Sequence, residues 1–187
     1  MYIWGVSPHD PGMSFHLRRA GGADAAAVRH LFHDSFTATF AHLYPPAELA
    51  GFLAEATDER FRLACEAPDQ AVMLGEAADG TPLGYCALGP YDLEGHIPEL
   101  LAGRRWWMLR QLYLAETAKG TGLANALMDW ALSESRGRGM QDIYLTVWIE
   151  NHRARRFYDR YGFHEVGKYP YVVGNTVDDD RILRLIL

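Results

Sequence analysis

The stretch that decides the fold is KGTGLANALMDWAL, residues Lys119–Leu132. Its apolar residues recur at helical spacing, which predicts a helix that begins after two glycines, Gly120 and Gly122. Glycine lowers helix propensity, so its use at this place indicates a role other than folding. The preceding segment WWMLRQLYLA (106–115) is apolar and predicts a long central β-strand that runs into the glycine turn.

The glycine turn has the features of a phosphate-binding site. A helix N-terminus leaves backbone N–H groups unpaired and carries a partial positive charge. Without side chains at the two glycines a phosphate can approach these groups, while Lys119 adds a cation and Thr121 a hydroxyl. Leu123-Ala124 stand where a P-loop needs Lys and Ser or Thr, and Asn125 stands where a dinucleotide fingerprint needs Gly or Ala, so both motifs are excluded. A helix start made flexible for tight packing stays open as the alternative for this turn alone.

Composition excludes several classes of protein. The 187 residues suit one domain with one core, and apolar residues make up 49% of the chain. The net charge of −6 argues against a nucleic-acid-binding surface and is compatible with a cationic substrate. Cys65 and Cys86 lack metal-ligand spacing, so we expect two reduced, buried thiols, no metal and a cytoplasmic location. No run approaches 18 apolar residues, so no membrane span is expected.

The N-terminal segment MYIWGVSPHDPGMSF (1–15) lacks the cationic start and apolar core of a signal peptide. Its prolines and Gly12 predict a flexible leader over residues 1–13, and Met13 is an alternative start. A single domain is therefore expected over residues 14–187.

Hydrophobic periodicity predicts seven strands and four helices after the leader. The strands are placed at 15–18, 70–76, 83–88, 106–115, 143–148, 163–168 and 182–187, and the helices at 25–39, from 45–46, at 122–136 and at 151–161. Residues 91–105 are expected to form a loop. The strand–helix–strand order in the middle implies a parallel pair, and the hairpins on both sides imply antiparallel neighbours. The expected class is α/β (α+β) with a mixed sheet.

A second motif makes the pattern specific. Residues Asn151–Phe163 have the form N-x-x-A-x-x-F-Y-x-x-x-G-F on a helix followed by a strand. Together with the strand–K-G-x-G-x-A–helix motif, this segment resembles the GNAT superfamily of acetyl-CoA-dependent N-acetyltransferases. The motifs cover Leu109 to Phe163, and the element order matches over residues 14–187. The resemblance implies a mostly antiparallel, twisted sheet of about seven strands with a splayed central parallel pair, flanked by about four helices. One departure is Lys119, where the family usually has Arg or Gln.

The resemblance also implies how acetyl-CoA is held. Backbone groups of the splayed strand, at Leu112, Tyr113 and Leu114, would accompany the pantetheine arm. The pyrophosphate would lie on the N–H groups of Lys119, Gly120, Thr121, Gly122, Leu123 and Ala124. Asn151 would bind the cofactor near its arm, and it also suits a helix N-cap. Tyr158 would donate a proton to the leaving thiolate, since a phenol with a pKa near ~10 is protonated in the cell. A core aromatic on the helix stripe is the alternative for Tyr158.

The general base is left open by the sequence. Many relatives carry a glutamate on the strand before the glycine turn, but the matching position here is Arg110 or Gln111. Glu150 is the candidate, acting through a water, although it also suits a position before a helix N-terminus. The other candidates are His33, Asp34 and His42. His30 and His33 share a helical face without further ligands, so no metal is expected.

The acceptor side is suggested by a looser resemblance. FHDSFTATFAHLYPPAELAGFL (32–53) and YVVGNTVDDDRILRL (171–185) resemble a bacterial branch that includes spermidine/spermine N-acetyltransferases. This resemblance implies an apolar wall for the acceptor, formed by Phe36, Phe40, Tyr44 and Trp148, with ordinary helix packing as the alternative for the two phenylalanines. The aspartates at 178–180 either steer an amine or form a solvated acidic turn. Arg110, if it faces the site, favours an acceptor with a carboxylate.

The expected activity is transfer of an acetyl group from acetyl-CoA to a primary amine of a small molecule, a polyamine or an amino-acid-like compound. Direct attack in a ternary complex needs no protein nucleophile. The alternatives are a non-catalytic, acetyl-CoA-sensing binding module and a protein N-terminal acetyltransferase. No nucleic acid or membrane partner is expected, and a homodimer is left open.

Overall fold

The computed structural model describes residues 14–187, so the leader expected over residues 1–13 lies outside the described residues. The described chain contains seven strands and six α-helices. The strands are β1 (Phe15–Arg19), β2 (Ala71–Ala77), β3 (Pro82–Gly89), β4 (Trp106–Leu114), β5 (Asp142–Trp148), β6 (His164–Val173) and β7 (Thr176–Ile186). The helices are α1 (Ala25–Phe40), α2 (Pro46–Ala54), α3 (Asp58–Glu66), α4 (Pro98–Leu101), α5 (Leu123–Gly137) and α6 (His152–Arg160).

All seven strands form one sheet in the order β1-β2-β3-β4-β5-β7-β6. Every neighbouring pair is antiparallel except β4 and β5, which are parallel and are connected through α5. The predicted mixed, mostly antiparallel sheet is therefore confirmed.

The parallel pair separates after three residues. Only Trp106, Trp107 and Met108 of β4 pair with β5, and the rest of β4 has no ladder on that side. On the other side, the register with β3 shifts by one residue, so Arg110 is the extra residue of a β-bulge. The predicted splay is confirmed, and it opens a gap in the middle of the sheet.

Helices cover both faces of the sheet. On the face that we call the α5 face, Leu123, Leu127 and Met128 of α5 are fully buried against β-strand residues such as Leu145, and α6 packs on the same cluster. These positions are one helical turn apart, as expected for an amphipathic helix. On the opposite face, the α1 face, α1 and α3 bury a second cluster that includes Phe32 and Tyr85.

Two helices were not predicted. The N-cap residue of helix α3 is Thr57, whose hydroxyl accepts a hydrogen bond from the Arg60 N–H at 3.2 Å. Phe61 is its single buried residue, so the helix lacks the apolar stripe that periodicity detects. The short helix α4 lies within the segment expected to be a loop. The expected count of about four helices is therefore too low.

The last hairpin is longer than predicted. The strands β6 and β7 pair along their whole length up to a turn at Gly174-Asn175, where Gly174 has φ 59°. Gly-Asn between two apolar runs is a hairpin signal. Residues 178–180 therefore belong to β7, and the interpretation of this segment as a solvated acidic turn is wrong. Asp180 is only 7% exposed.

None of the helices within residues 14–187 has the length and apolar character to cross a membrane.

Candidate active site

A cavity of about 160 Å³ lies in the gap between the splayed strands. Residues of β4, β5 and α6 line it from the middle and the α5 face, and aromatic residues of α1 line it from the α1 face. The wall gathers half of the predicted site residues: Leu112, Tyr113, Trp148, Asn151, Tyr158, Phe36, Phe40 and Tyr44. The predicted residues of the glycine turn, 119–124, do not line it. Segments far apart in the sequence are thereby brought to one place.

The glycine turn has free hydrogen-bond donors. Gly120 (φ 85°) and Gly122 (φ 88°) both adopt left-handed conformations, and Gly122 is the N-cap residue of α5. A Cβ added at either glycine would meet no protein atom within 4 Å. Within residues 14–187, the N–H groups of Gly120, Gly122 and Ala124 have no hydrogen-bond acceptor. The turn therefore combines open space, unpaired donors and the positive end of a helix dipole.

Other groups of the turn are occupied by the turn itself. The Lys119 N–H donates to the Glu116 carbonyl at 3.2 Å, and its ammonium pairs with the Glu116 carboxylate. The Thr121 hydroxyl donates to the Ala118 carbonyl at 2.8 Å. The Leu123 N–H points to the Thr121 hydroxyl oxygen at 3.4 Å. Thr121 thus stabilises the turn, and the unpaired N–H groups of Gly120, Gly122 and Ala124, with that of Asn125, are left for an anion.

The edge of β4 presents backbone groups to the cavity. The Ala115 N–H donates to the Leu83 carbonyl of β3 at 2.8 Å. Because alternate residues of a strand direct their amide groups to opposite edges, Leu112 and Leu114 direct theirs towards the gap, and Tyr113 towards β3. Ser35 of α1 donates a hydrogen bond to the Leu114 carbonyl at 3.0 Å. The contribution of Tyr113 to the cavity is its ring, which lies edge-on to Phe32 at 5.6 Å.

The helix α6 supplies Asn151 and Tyr158. The Asn151 side-chain oxygen accepts a hydrogen bond from the Ala154 N–H at 3.2 Å, so its predicted N-cap role is confirmed. The Tyr158 ring packs edge-on against Phe157 and Phe163 at centroid distances of 5.5 and 5.7 Å. Burial, and to a smaller extent Cys86, raises the pKa of Tyr158 above its usual value. Its hydroxyl is protonated at neutral pH and accepts or donates no hydrogen bond within residues 14–187.

All four residues of the predicted acceptor wall line the cavity. Phe40 lies edge-on to Trp148 with ring centroids 6.4 Å apart, and Phe36 stacks on Tyr44 at 6.1 Å. Phe36 is 2% exposed and also contacts Phe52 at 4.8 Å. It therefore belongs to the core as well as to the cavity wall.

The candidate base Glu150 does not lie in the cavity wall. Its side chain is 59% exposed, and its carboxylate lies 3.3 Å from the His152 ring nitrogen. His33, Asp34 and His42 do not line the cavity either. The structure therefore brings Tyr158 and Asn151 together with the acceptor wall, but it leaves Glu150 outside.

Asp180, which the sequence suggested only as one of three aspartates that either steer an amine or form an acidic turn, lines the cavity. It lies in β7 opposite Trp148, and its carboxyl group lines the cavity. Burial first, and then the neighbouring Asp178 and Asp179 carboxylates, raise the pKa of Asp180 to about 7. The signal that could have found it is the Gly-Asn hairpin turn, which places the third aspartate within a strand.

Arg110 lines the same cavity from the β-bulge of β4. Its guanidinium donates to the Gln70 side-chain oxygen at 2.9 Å and lies 6.0 Å from the centre of the Tyr91 ring. Burial and the nearby Arg60 lower the pKa of Arg110. In the described part of the chain no carboxylate pairs with this guanidinium. The site thus contains a cation without an anionic partner.

Metal binding has no visible support in residues 14–187, where no three His, Cys, Asp or Glu side chains are grouped to hold a metal ion.

The known proteins that this chain resembles in sequence are acetyltransferases. Residues 26–163 match the model of the acetyltransferase (GNAT) family. An uncharacterised N-acetyltransferase of Mycobacterium tuberculosis is 29% identical over 150 residues, which cover 78% of this chain and 88% of that protein. An uncharacterised N-acetyltransferase of Lactobacillus delbrueckii subsp. lactis is 24% identical over 155 residues, which cover 82% and 87%.

Solved structures share the fold. PaiA N-acetyltransferase of Thermoplasma acidophilum, in complex with coenzyme A, has a TM-score of 0.73 at 18% identity and covers 94% of this chain and 100% of its own. Arabidopsis thaliana NAA60, with a bisubstrate analogue, has a TM-score of 0.72 at 17% identity and covers 93% and 99%. Mutant forms of the spermidine/spermine N-acetyltransferase SpeG of Vibrio cholerae have a TM-score of 0.65 at 19% identity and cover 92% and 93%. At these identities the likeness establishes the fold.

Proposed function

We propose that this chain, which belongs to the acetyltransferase (GNAT) family, transfers an acetyl group from acetyl-CoA to a primary amine of a small molecule. One observation carries the proposal: the gap opened by the splayed strands has a protonated phenol in its wall, and β4, which borders the gap, leads into a turn with free backbone N–H groups. These are the groups that a diphosphate and a leaving thiolate need.

The residues around the cavity fit coenzyme A. The free N–H groups of Gly120, Gly122 and Ala124 would bind the pyrophosphate, and the space beside the two glycines admits it. The β4 edge at Leu112 and Leu114 would pair with the amides of the pantetheine arm, as a neighbouring strand would. The Asn151 side chain uses its oxygen in the N-cap, which leaves its NH₂ group for the arm.

Tyr158 would act as the general acid. The acceptor nitrogen attacks the thioester carbonyl, the C–N bond forms and the C–S bond breaks, and the Tyr158 hydroxyl gives its proton to the sulfur. An N–H of the β4 edge, at Leu112 or Leu114, would hydrogen-bond the carbonyl oxygen and stabilise its negative charge. The reaction needs no protein nucleophile, since both reactants occupy the cavity together.

The cavity also suggests the class of acceptor. The aromatic wall of Phe40, Tyr44 and Trp148 suits an aliphatic chain, and the partly open cavity of about 160 Å³ suits a small amine. Arg110 favours an acceptor with a carboxylate next to its amine, because a buried guanidinium without an anionic partner gains most from one. We therefore favour an amino-acid-like amine over a simple polyamine.

Two broader properties are proposed on general grounds. One domain over residues 14–187 agrees with a single continuous sheet covered on both faces. A cytoplasmic location agrees with two unpaired cysteines, one of them buried, which suit a reducing compartment.

The test is release of coenzyme A thiol from acetyl-CoA in the presence of amino acids, polyamines and short peptides. Release above the rate of acetyl-CoA hydrolysis with a small primary amine supports the proposal. If only peptides with a free N-terminus react, the chain is a protein N-terminal acetyltransferase. If no amine reacts while acetyl-CoA raises the melting temperature, the chain is a sensor. If acetyl-CoA causes neither effect, the proposed site is wrong.

A further inference from the structure

The reacting groups of the cavity come from opposite faces of the sheet. In β7, Leu183 is buried on the α5 face, whereas Ile182 is buried with Tyr144 around α4 on the other face. Alternation along the strand places Asp180 on the same face as Ile182. Tyr158 packs on the α5 face and reaches the cavity from there. Asp180 and Tyr158 therefore line the same cavity, in the gap between β4 and β5, from opposite faces of the sheet.

Resting on the proposed function, we propose that Asp180 is the general base that takes the proton from the acceptor's ammonium group, with Tyr158 as the acid on the opposite face. The carboxylate would approach the acceptor from the α1 face, where the aromatic wall holds it. The phenol would approach the sulfur from the α5 face, where the cofactor arm lies. One side chain thus serves each reactant.

The neighbouring aspartates have other roles. The Asp178 carboxylate accepts a hydrogen bond from the Tyr44 hydroxyl. The Asp179 carboxylate is exposed and accepts a hydrogen bond from the Arg181 guanidinium at 2.8 Å. Asp180 is buried, lines the cavity and forms no ion pair within residues 14–187. Asp178 also lines the cavity, but the Tyr44 hydroxyl occupies its carboxylate, so of the three Asp180 is the carboxylate available to a cationic amine.

Protons balance in this scheme. The ammonium first gives one proton to the Asp180 carboxylate, which later releases it to solvent. The freed lone pair forms the C–N bond, and the electrons of the C–S bond leave with the sulfur, which takes the Tyr158 proton. The second proton lost by the nitrogen restores the Tyr158 hydroxyl. The products are an amide and a thiol.

The surroundings of Asp180 tune it for this task. Its pKa of about 7 results from burial, with smaller contributions from Asp178 and Asp179, while a Thr146 hydrogen bond and Arg181 act in the opposite direction. The other titratable groups that face it are Tyr44 next to α1, Tyr113 and Arg110 on β4, and Tyr169 and Tyr171 on β6. These tyrosines have pKa values raised above the ordinary range and stay neutral. A base with a pKa near the working pH is efficient.

The pH dependence follows from the sign of this shift. A base works in its deprotonated form, so kcat/KM should rise with pH through an apparent pKa near 7. Asp180→Asn should lower kcat/KM at pH 7 by at least about 10²-fold, the lower end for a lost general base. The variant should lose the inflection near pH 7, and its rate should climb until the amine itself deprotonates near pH ~10.

Asp179→Asn is the matched control, because Asp179 neighbours Asp180 but is exposed and does not line the cavity. It should keep the rate and the inflection, which should move to lower pH by less than in Asp178→Asn, because Asp179 makes the smaller contribution to the raised pKa of Asp180. Acetyl-CoA should raise the melting temperature of wild type and Asp180→Asn equally. An Asp180→Asn enzyme that stays folded and keeps the wild-type rate and profile overturns the inference. If the wild type acetylates an amine but Asp180→Asn is unaffected, only the role of Asp180 is wrong and the proposed function stands. If the wild type acetylates no amine, the proposed function itself is wrong.

A second variant keeps the test decisive if Asp180→Asn does not fold. Asp178→Asn removes a negative charge that raises the pKa of Asp180. The acidic limb of the pH profile should therefore move to lower pH, whatever change in absolute rate follows from the lost Tyr44 hydrogen bond. A limb that stays in place would mean that another group titrates, and the inference would fail.

Discussion

The two halves of the cavity are built in different ways. The proposed cofactor half consists of the β4 edge and Tyr158 with the glycine turn that follows β4, and its proposed donors are backbone N–H groups between Leu112 and Ala124. The acceptor half consists of side chains, and one of its hydrogen bonds joins Tyr44 to Asp178, which are 134 residues apart in the sequence. A local motif forms the first half, and the tertiary fold assembles the second.

This difference separates two properties of the enzyme. In the proposed function, backbone donors would recognise a diphosphate and a pantetheine arm whatever amine is present, so variants of the cofactor half should affect all acceptors equally. Side chains of the acceptor half would contact the amine, so their variants should change the choice of acceptor and leave coenzyme A affinity unchanged. The following variants test this separation, and Asp180→Asn adds a residue of the acceptor half that acts on the reaction itself.

Tyr158→Phe should have the largest effect of the variants on the cofactor half. Loss of the proton donor should lower kcat by roughly 10²-fold for every acceptor, because sulfur would leave as an unprotonated thiolate. Coenzyme A affinity, measured by calorimetry, should change little since the ring remains. A kcat that falls for one acceptor and not for another would contradict the assignment of Tyr158 to the cofactor half.

Tyr161→Phe is the control for this variant. Tyr161 lies almost one helical turn after Tyr158 and does not line the cavity. Its hydroxyl donates a hydrogen bond to the Asp129 carboxylate, with 3.2 Å between the two oxygens. Its loss should leave kcat unchanged. The raised pKa of Tyr158 adds a pH test: the acid is lost only as pH rises through a value above the ordinary ~10, so no alkaline decline in rate should appear below that pH.

Gly122→Val should have the next largest effect. A β-branched residue at φ 88° is strained, and its side chain occupies the space that the pyrophosphate would take. Loss of about 2 kcal/mol of charge-assisted hydrogen bonding should raise the Kd of coenzyme A roughly 30-fold. Isothermal titration measures this, and the change should be the same for acetyl-CoA with any acceptor present.

Gly80→Val separates the strain from the phosphate contact. Gly80 has φ 86° and no protein atom within 4 Å of an added Cβ, but it lies in the β2–β3 turn outside the cavity wall. Both variants should lose similar stability, and only Gly122→Val should lose coenzyme A affinity. Equal affinities for the two folded variants would remove the phosphate role of the glycine turn.

Much of the fold was predictable because its signals are local. Every second residue of β5 and the apolar stripe of α5 are buried on the α5 face of the sheet. Their apolar residues therefore recur at the regular spacing of a strand and of a helix. The helix α3 buries Phe61 alone, so its sequence carries no stripe, and its cap at Thr57 was its main signal. Near its tip the β6–β7 hairpin buries Val173 but exposes Val172 and Val177, so apolar residues lie on both faces and the sequence there lacks the usual alternation of apolar and polar residues.

The site divides along the same line. The glycine turn and Asn151 are recognisable from the sequence because each belongs to a motif whose residues all lie within one short segment. Asp180 was hidden, because three consecutive aspartates usually indicate solvent, and its burial depends on pairing with Trp148 on one side and Tyr169 on the other. Arg110 faces the cavity through a β-bulge, and a one-residue shift of register is not visible in the sequence of a single strand.

Arg110→Gln should give the smallest effect and the clearest test of the acceptor half. Loss of a charged hydrogen bond of about 1.5 kcal/mol should raise KM roughly tenfold for an amino-acid acceptor. Cadaverine, which is lysine without its carboxylate, serves as the internal control, and its KM should not rise. In Arg110→Gln the cavity wall no longer repels the ammonium group of cadaverine. Any change in the KM of cadaverine should therefore be a small decrease. Equal effects on both acceptors would mean that Arg110 supports the β4 bulge through Gln70 and does not contact the amine's carboxylate. Because coenzyme A affinity should stay constant in either case, a loss of that affinity would show that the two halves of the cavity are not separable.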